Sequence, residues 1–553
     1  MTRRTKRDGG PLPLKWFVLF AFLFSAQVVL RFWSDSLTND EPYEVTNGYA
    51  YLIRGESRFN GHPPLATAWQ ALPLLFRGLT PPADGSDLLR RPIRFYFEDN
   101  RDLLAMTMGP RAMTWLCGLG IGLLLFLHLR RRSPVAALGA MTLWTFEPTL
   151  LAFSGYAMAD VPVTFLVFAT VLVWEFSRDE SPGWAFSAGI LAGLAACAKF
   201  SGLALLPLLP LLDLWGRREA FRKSWRPVLI RWGILIAGFL FSTGLVFLPP
   251  SILQVPFRTP YHHFLASLTE LLDVADRGHP TFFMGEVGLQ KRWVYFPTAF
   301  LLKSPIPFLI LLLLASLPFF RRRGSLPTWV MLTPLVFLIA ILRVQNHGVR
   351  YLLPAYPFLF IAAGHAVAML WETGSVLRRR GWRWAAAGLL VWQVASVVAC
   401  YPAHLSYFND LVPKSAKIRL LGDTNLDLGQ DHRRLEHWMK EHQVPWVKLA
   451  YFGGVDPALY GVHWALFTEK DLEGPQSGQV YAVNASFLQW APYTFPFTRV
   501  ITGSWLHRTP PTHRVGDTWF LYAVPGRIEG PDRTRRLRSA PHQLLMGISP
   551  TYD

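Results

Sequence analysis

Long apolar runs separated by short clusters of arginine constrain this chain more than any other feature. The first runs from about Leu14 to Trp33. Others lie near 112–129, 134–152, 160–176, 184–199, 202–215, 229–249, 296–320, 327–342, 351–371 and 385–401. An apolar helix of roughly 20 residues crosses a bilayer, so the pattern predicts a polytopic α-helical membrane protein with about eleven transmembrane helices. The composition fits, with 51% hydrophobic and only 17% charged residues, beside 40 Phe and 22 Trp that suit lipid and its interfaces. An ordinary soluble enzyme, a disordered chain and a disulfide scaffold are excluded. Arg3, Arg4, Lys6 and Arg7 precede the first run in the manner of a signal peptide. No small-residue cleavage site follows, and the run is long enough to span, so it is read as the first helix.

The 55 basic residues exceed the 37 acidic ones, for a net charge of +18. In a soluble chain that excess points to nucleic acid. Here the cations sit between apolar runs, so they read as topology signals at a bilayer surface, with no nucleic-acid partner. A cytoplasmic N-terminus puts Arg130 to Arg132, Arg178, Arg217 to Arg231, Arg321 to Arg323 and Arg378 to Arg383 on the cytoplasmic side. This holds only if 184–215 is two short helices breaking around Lys199. A single tilted helix would reverse everything after it. The large outer segments are then loops near 34–110 and 250–295 and the tail.

The reading is a membrane domain over 1–401 and an extracytoplasmic C-terminal domain over 402–553. The short β-branched and aromatic runs Val447–Phe452, Gln479–Val483 and Thr518–Val524, beside a helical stretch His432–His442, give the tail an α/β or α+β character. Cys117, Cys197 and Cys400 each lie in an apolar run and are spaced for neither a metal nor a disulfide framework.

Charge at membrane depth is costly and so marks function. Asp40 and Glu41 follow the first span, and Asp160 opens the fourth; the topology puts all three at one membrane face. Such carboxylates can divide the work of base and charge stabiliser, or they are loop acids and a helix cap. Arg111, Lys199 and Arg350 lie at the same face and suit a phosphate, or they snorkel at the interface. His62 in the first outer loop, and His279 with Glu286 in the later one, are candidates for an acceptor or loop site. A divalent metal is compatible with them, but no spacing demands one, and the sequence requires no cofactor. Glu147, near the outer end of the third span, is a further candidate, or it pairs with a neighbouring helix. Asn484-Ala485-Ser486 matches a glycosylation sequon, which has meaning only in a secretory lumen.

In order along the chain, Asp40-Glu41, His62-Pro63-Pro64-Leu65, Arg111, Asp160, Ala198-Lys199-Phe200-Ser201-Gly202-Leu203, His279-Pro280, Phe296-Pro297 through Lys303, Arg350-Tyr351-Leu352-Leu353-Pro354 and Asp423 to Asp431 resemble a known series. It is that of the GT-C class of polyprenyl-phosphate-dependent glycosyltransferases, particularly bacterial relatives of the protein O-mannosyltransferases. More distantly it resembles the lipid A aminoarabinose transferase. Thr424 and Leu428 depart from the tail motif, and no β-trefoil repeat is recognisable.

The resemblance implies a multi-pass bacterial plasma-membrane glycosyltransferase acting at the outer face. Its donor is a sugar, mannose or another hexose, on a polyprenyl phosphate. Its acceptor is a hydroxyl of a protein, lipid or glycan, which attacks the anomeric carbon with inversion as the lipid phosphate leaves. Asp40 is the expected base, with Glu41 and Asp160 in support and Arg111, Lys199 and Arg350 holding phosphate. A lipid-linked-sugar transporter or flippase, or a non-catalytic envelope assembly protein, would carry the same apolar pattern.

Overall fold

The computed structural model describes residues 10–526 except 58–61, 84–89, 101, 177–181, 217–223, 255–257, 279–280, 290–291, 318–325, 343–345, 373–375, 452 and 495–504. The expectations placed on Arg3, Arg4, Lys6, Arg7, Arg178, Arg217, Arg321 to Arg323 and His279 lie outside these residues. Over the described residues, each of the eleven apolar stretches is helical apart from the breaks given below. Among the described residues, four helices are long and apolar enough to cross a membrane alone, Leu14–Ser34, Leu103–Leu129, Arg226–Val246 and Val349–Glu372. Two bent pairs raise the count to six, and the remaining apolar helices are shorter. The expected polytopic α-helical fold is present, as a bundle in which long helices pack with short and broken ones.

The breaks have local causes. Helix Pro134–Thr145 ends before Glu147, whose Oε2 accepts the Leu150 amide at 2.6 Å and caps helix Pro148–Ser154, bent from the first by 59°. Pro305 stops helix Tyr295–Lys303 at Ser304, and Ile306–Ser316 leaves at 118°. The expected break at Lys199 is present: helix Pro182–Ala198 ends, Lys199 is extended, and a 3-10 turn over Phe200–Ala204 leads into Leu205–Gly216.

In lipid, helices associate through close backbone approach rather than hydrophobic exclusion. Helices Pro182–Ala198 and Arg226–Val246 do this through glycine. A Cβ on Gly189 would lie 2.1 Å from the Leu235 carbonyl oxygen, and one on Gly238 would lie 2.3 Å from that of Phe186.

The tail folds as expected into a small α/β unit. Its strands are Val447–Ala450 (β3), Trp464–Leu466 (β4), Val480–Asn484 (β5), His513–Val515 (β6) and Trp519–Ala523 (β7). They form a mixed sheet of order β4-β3-β5-β7-β6, parallel among β4, β3 and β5 and antiparallel at β7 and β6. A separate hairpin, Thr281–Phe283 (β1) with Glu286–Gly288 (β2), belongs to the loop near 250–295. Helix His432–Glu441 lays Leu435, Trp438 and Met439 onto the sheet.

A buried ionic network ties tail to bundle. Asp35, at the end of the first helix, accepts from Arg31 and from Arg434 of the tail, each at 2.6 Å, and Arg434 also pairs with Asp431. The Ser36 and Asn39 amides donate to the carbonyls of Gln430 and Leu428. The segment 423–431 thus braces the loop that carries Asp40. Asn484 of the sequon is fully buried in β5, so its side chain is closed to modification in this fold.

Candidate active site

The bundle has two distinguishable ends. The Leu12 amide, just before the first helix, donates to the Arg130 carbonyl, so the N-terminal side of that helix and the loop 130–133 share one end. Asp40, Asp160, Lys199 and Arg350 meet at the other.

Asp160 is the hub. Its Oδ1 lies 2.6 Å from Lys199 Nζ and its Oδ2 lies 3.7 Å from Arg350 Nη1, while Arg350 Nη1 is also 3.3 Å from Asp40 Oδ2. Lys199 sits over the Tyr351 ring at 4.4 Å, and Arg350 packs against the Phe153 and Tyr351 rings. Arg350 Nε is buried without a hydrogen-bond partner among the described residues. Two cations held side by side by one carboxylate, with donor capacity in reserve, form a ready anion site.

Asp40 is the accessible acid of the group: its side chain is 39% exposed, against 4% for Asp160 and 26% for Asp423. It occupies the N-cap position of helix Glu41–Arg54 but makes no capping hydrogen bond, so its carboxylate is not committed to the helix. Partial desolvation raises its pKa above the ordinary carboxylate value; Arg350 opposes this and Asp423 adds to it.

Glu41, its neighbour, has a different position. Its carboxylate takes a two-pronged contact from Arg111 Nε and Nη2, both at 2.8 Å, and accepts the amides of Thr38 and Ala157. Arg111 spends its remaining donors on the carbonyls of Phe32, Asp35 and Ser36. Side-chain exposure is 0% for Arg111 and 1% for Glu41. Arg111, expected beside phosphate, instead joins the Asp40 loop to the loop leading into Asp160, and Glu41 is its partner.

His62 is exposed, within electrostatic reach of Lys199, Arg350 and Asp160. Glu286, in contrast, is an exposed hairpin residue paired with Arg292, and it does not join the cluster. No set of three His, Cys, Asp or Glu side chains among the described residues is arranged to hold a metal ion.

Sequence reasoning left three members without a role. His347 and Asp423 face each other at 3.2 Å beside Asp40, and the His347 ring stacks on Tyr351. Gly348 makes this approach possible: its φ of 147° disfavours any side chain, and a Cβ there would meet Thr424 Oγ1 at 2.0 Å. Asn425 accepts the Val349 amide at 2.9 Å, so the tail segment braces this loop as well.

The third is Glu44, one helical turn beyond Asp40 and half-buried. Desolvation and then the like charge of Asp40 push its pKa up to about 7, against the pull of Lys199 and Arg350. Its position four residues on, hence on the same helix face, was the available signal. Asp40→Asn removes the charge that, after desolvation, holds Glu44 up, so Glu44 should ionise at lower pH in that variant; a Glu44 titration, followed by the pH dependence of carboxyl labelling, that stays in place would show that the two carboxylates do not interact.

Residues 17–259 match the family model described as dolichyl-phosphate-mannose-protein mannosyltransferase. Among solved structures, ArnT from Cupriavidus metallidurans bound to undecaprenyl phosphate is 13% identical, with 94% of this chain and 99% of that one covered at a TM-score of 0.45. The Archaeoglobus fulgidus oligosaccharyltransferase tethered to an acceptor peptide is 11% identical, with 82% of this chain and 63% of that one covered, also at 0.45. No curated protein matches in sequence.

Proposed function

We propose that this chain, whose residues 17–259 match the dolichyl-phosphate-mannose-protein mannosyltransferase model, is a membrane glycosyltransferase that moves a hexose, such as mannose, from a polyprenyl phosphate to an acceptor hydroxyl. The acceptor belongs to a protein, lipid or glycan, and the reaction takes place at the outer face of the bacterial plasma membrane. The observation that carries this reading is one open carboxylate, Asp40, set against a pair of cations that a second carboxylate, Asp160, holds in place.

In this mechanism the acceptor oxygen attacks the anomeric carbon from the face opposite the phosphate, with inversion. The new carbon–oxygen bond forms as the bond to phosphate oxygen breaks. Asp40 takes the hydroxyl proton, and the phosphate departs with its charge beside Lys199 and Arg350. Asp160 positions both cations. Glu41 and Arg111 hold the two loops at a fixed separation, and no substrate contact is asked of them.

A transporter of lipid-linked sugar would also use broken helices. The three breaks here each have local partners: Glu147 caps the helix it precedes, Lys303 beside Pro305 donates to the carbonyls of Leu405 and Asn425, and Lys199 pairs with Asp160. The polar groups at the Lys199 break gather at one end of the bundle, which favours the enzyme.

The test is transfer by the purified protein from polyprenyl-phosphate mannose and glucose to a panel of hydroxyl acceptors. Donor consumption that depends on an acceptor supports the reading; movement of the donor between leaflets without consumption overturns it. Arg350→Ala should weaken donor affinity by roughly ten- to a hundredfold, the loss of one charge-assisted bond at about 1.5–3 kcal/mol. Unchanged donor affinity in both Arg350→Ala and Lys199→Ala would put the phosphate elsewhere.

A further inference from the structure

We propose that the tail carries a second binding site, for an anionic saccharide, in a cavity between the β6–β7 edge of its sheet and the β1–β2 hairpin. The cavity is about 730 Å³, within the range of small-ligand sites. Its walls come from the hairpin, the segment 415–419, helix Ala485–Thr494 and the loop into β6.

Charge is the first argument. Arg419, Arg508 and Arg514 all line the cavity, and none of the described lining residues is acidic. All three are exposed on the solvent side, so the mouth is cationic. Guanidinium groups bind carboxylate and phosphate through paired, charge-assisted hydrogen bonds.

The floor is the second argument. It is largely apolar: Phe282, Phe520 and Tyr522 are buried beneath it, and the Arg514 guanidinium lies 5.0 Å over the Phe520 ring, which fixes its place at the mouth. The Ser415 and Thr509 hydroxyls at the wall can pair with sugar hydroxyls. Gln489 is fixed in place by donating to the carbonyls of Ile418 and Leu421, and its Oε1 has no hydrogen-bond partner among the described residues.

The edge is the third. An acidic peptide would bind most simply by adding a strand to β6. Pro510 and Pro511 lead into that strand and supply no N–H, and β6 itself is only three residues long, which leaves few edge amides for a peptide. The chemistry therefore favours a sugar chain bearing carboxylate or phosphate groups over a peptide.

The cavity is next to the candidate active site but separate from it. The segment Ile418–Asp423 divides them: Leu421 bridges to Phe283, the Met284 amide donates to the Leu420 carbonyl, and Asp423 at the far end faces His347. A saccharide held here would be delivered along that segment towards Asp40. The role as an acceptor site rests on the glycosyltransferase reading; the binding itself does not.

The experiment is isothermal titration of the full chain in nanodiscs of neutral lipid with trigalacturonate, maltotriose, triglutamate and inorganic phosphate. Trigalacturonate is expected to bind, and the R419Q/R514Q double variant to weaken it by about tenfold or more. Asp40→Asn should bind it like the unaltered protein. The proposal fails if maltotriose or phosphate binds as tightly as trigalacturonate, if triglutamate binds more tightly, or if the double variant binds unchanged. R508Q, at a third exposed arginine, should also weaken binding, and the proposal fails if it does not. Trigalacturonate binding in a protein that transfers no sugar would remove the enzyme reading and leave this site standing.

Discussion

Asp40→Asn is expected to lower turnover by about 10²–10⁴-fold, the usual contribution of a positioned general base, with donor affinity and protein yield near normal. Asn is nearly isosteric and cannot take the acceptor's proton. A purely structural role for Asp40 would be capping of helix Glu41–Arg54, but its side chain makes no such bond. Asn is in any case a good cap, so a structural residue would tolerate the change. The measurement is single-turnover transfer at saturating donor, beside a donor-binding isotherm. Full activity in a well-folded Asp40→Asn protein would remove it as the base. Glu44 would then be the next carboxylate to test, because Asp160 is committed to Lys199 and largely buried.

Much of this site was legible in the sequence, and the reason is membrane sidedness. Basic clusters set the order of helix ends, and that order put Asp40, Asp160, Lys199 and Arg350 at one face. The break at Lys199 was legible too, because one long helix would have inverted every later cluster. Partner identity was not. An arginine at the start of an apolar helix reads the same whether it awaits a phosphate or a carboxylate 70 residues earlier in the chain, and Arg111 has the latter. The Asp423–Asp431 segment was recognisable as a motif. Its work as a brace for the loops at 36–39 and 347–349 is long-range pairing that no local pattern encodes. Strands β4 and β6 are three residues each, too short for alternation to stand out. Where the apolar runs break was less legible: Glu147 and Pro305 divide two of them into bent pairs, and neither residue announces the angle.

The Arg111–Glu41 pair carries the second large expectation. Arg111→Met should destabilise the protein by about 3–5 kcal/mol, because it strands the Glu41 carboxylate in a fully buried site. The readout is the thermal unfolding midpoint in detergent and the folded yield. The double variant Arg111→Met with Glu41→Leu removes both charges and should recover part of the loss. Recovery stays incomplete, since Glu41 also accepts the amides of Thr38 and Ala157 and Arg111 caps the carbonyls of Phe32, Asp35 and Ser36. A phosphate-binding Arg111 would behave in the opposite way. Its removal would weaken donor affinity and leave the unfolding midpoint in place, since relieving an unpaired buried cation does not destabilise a fold. A lowered midpoint with partial rescue in the double variant therefore assigns the pair to the scaffold and leaves Lys199 and Arg350 as the cations for the donor. An unchanged midpoint with a loss of donor affinity would return Arg111 to the phosphate and require the loop at 36–41 to open during turnover.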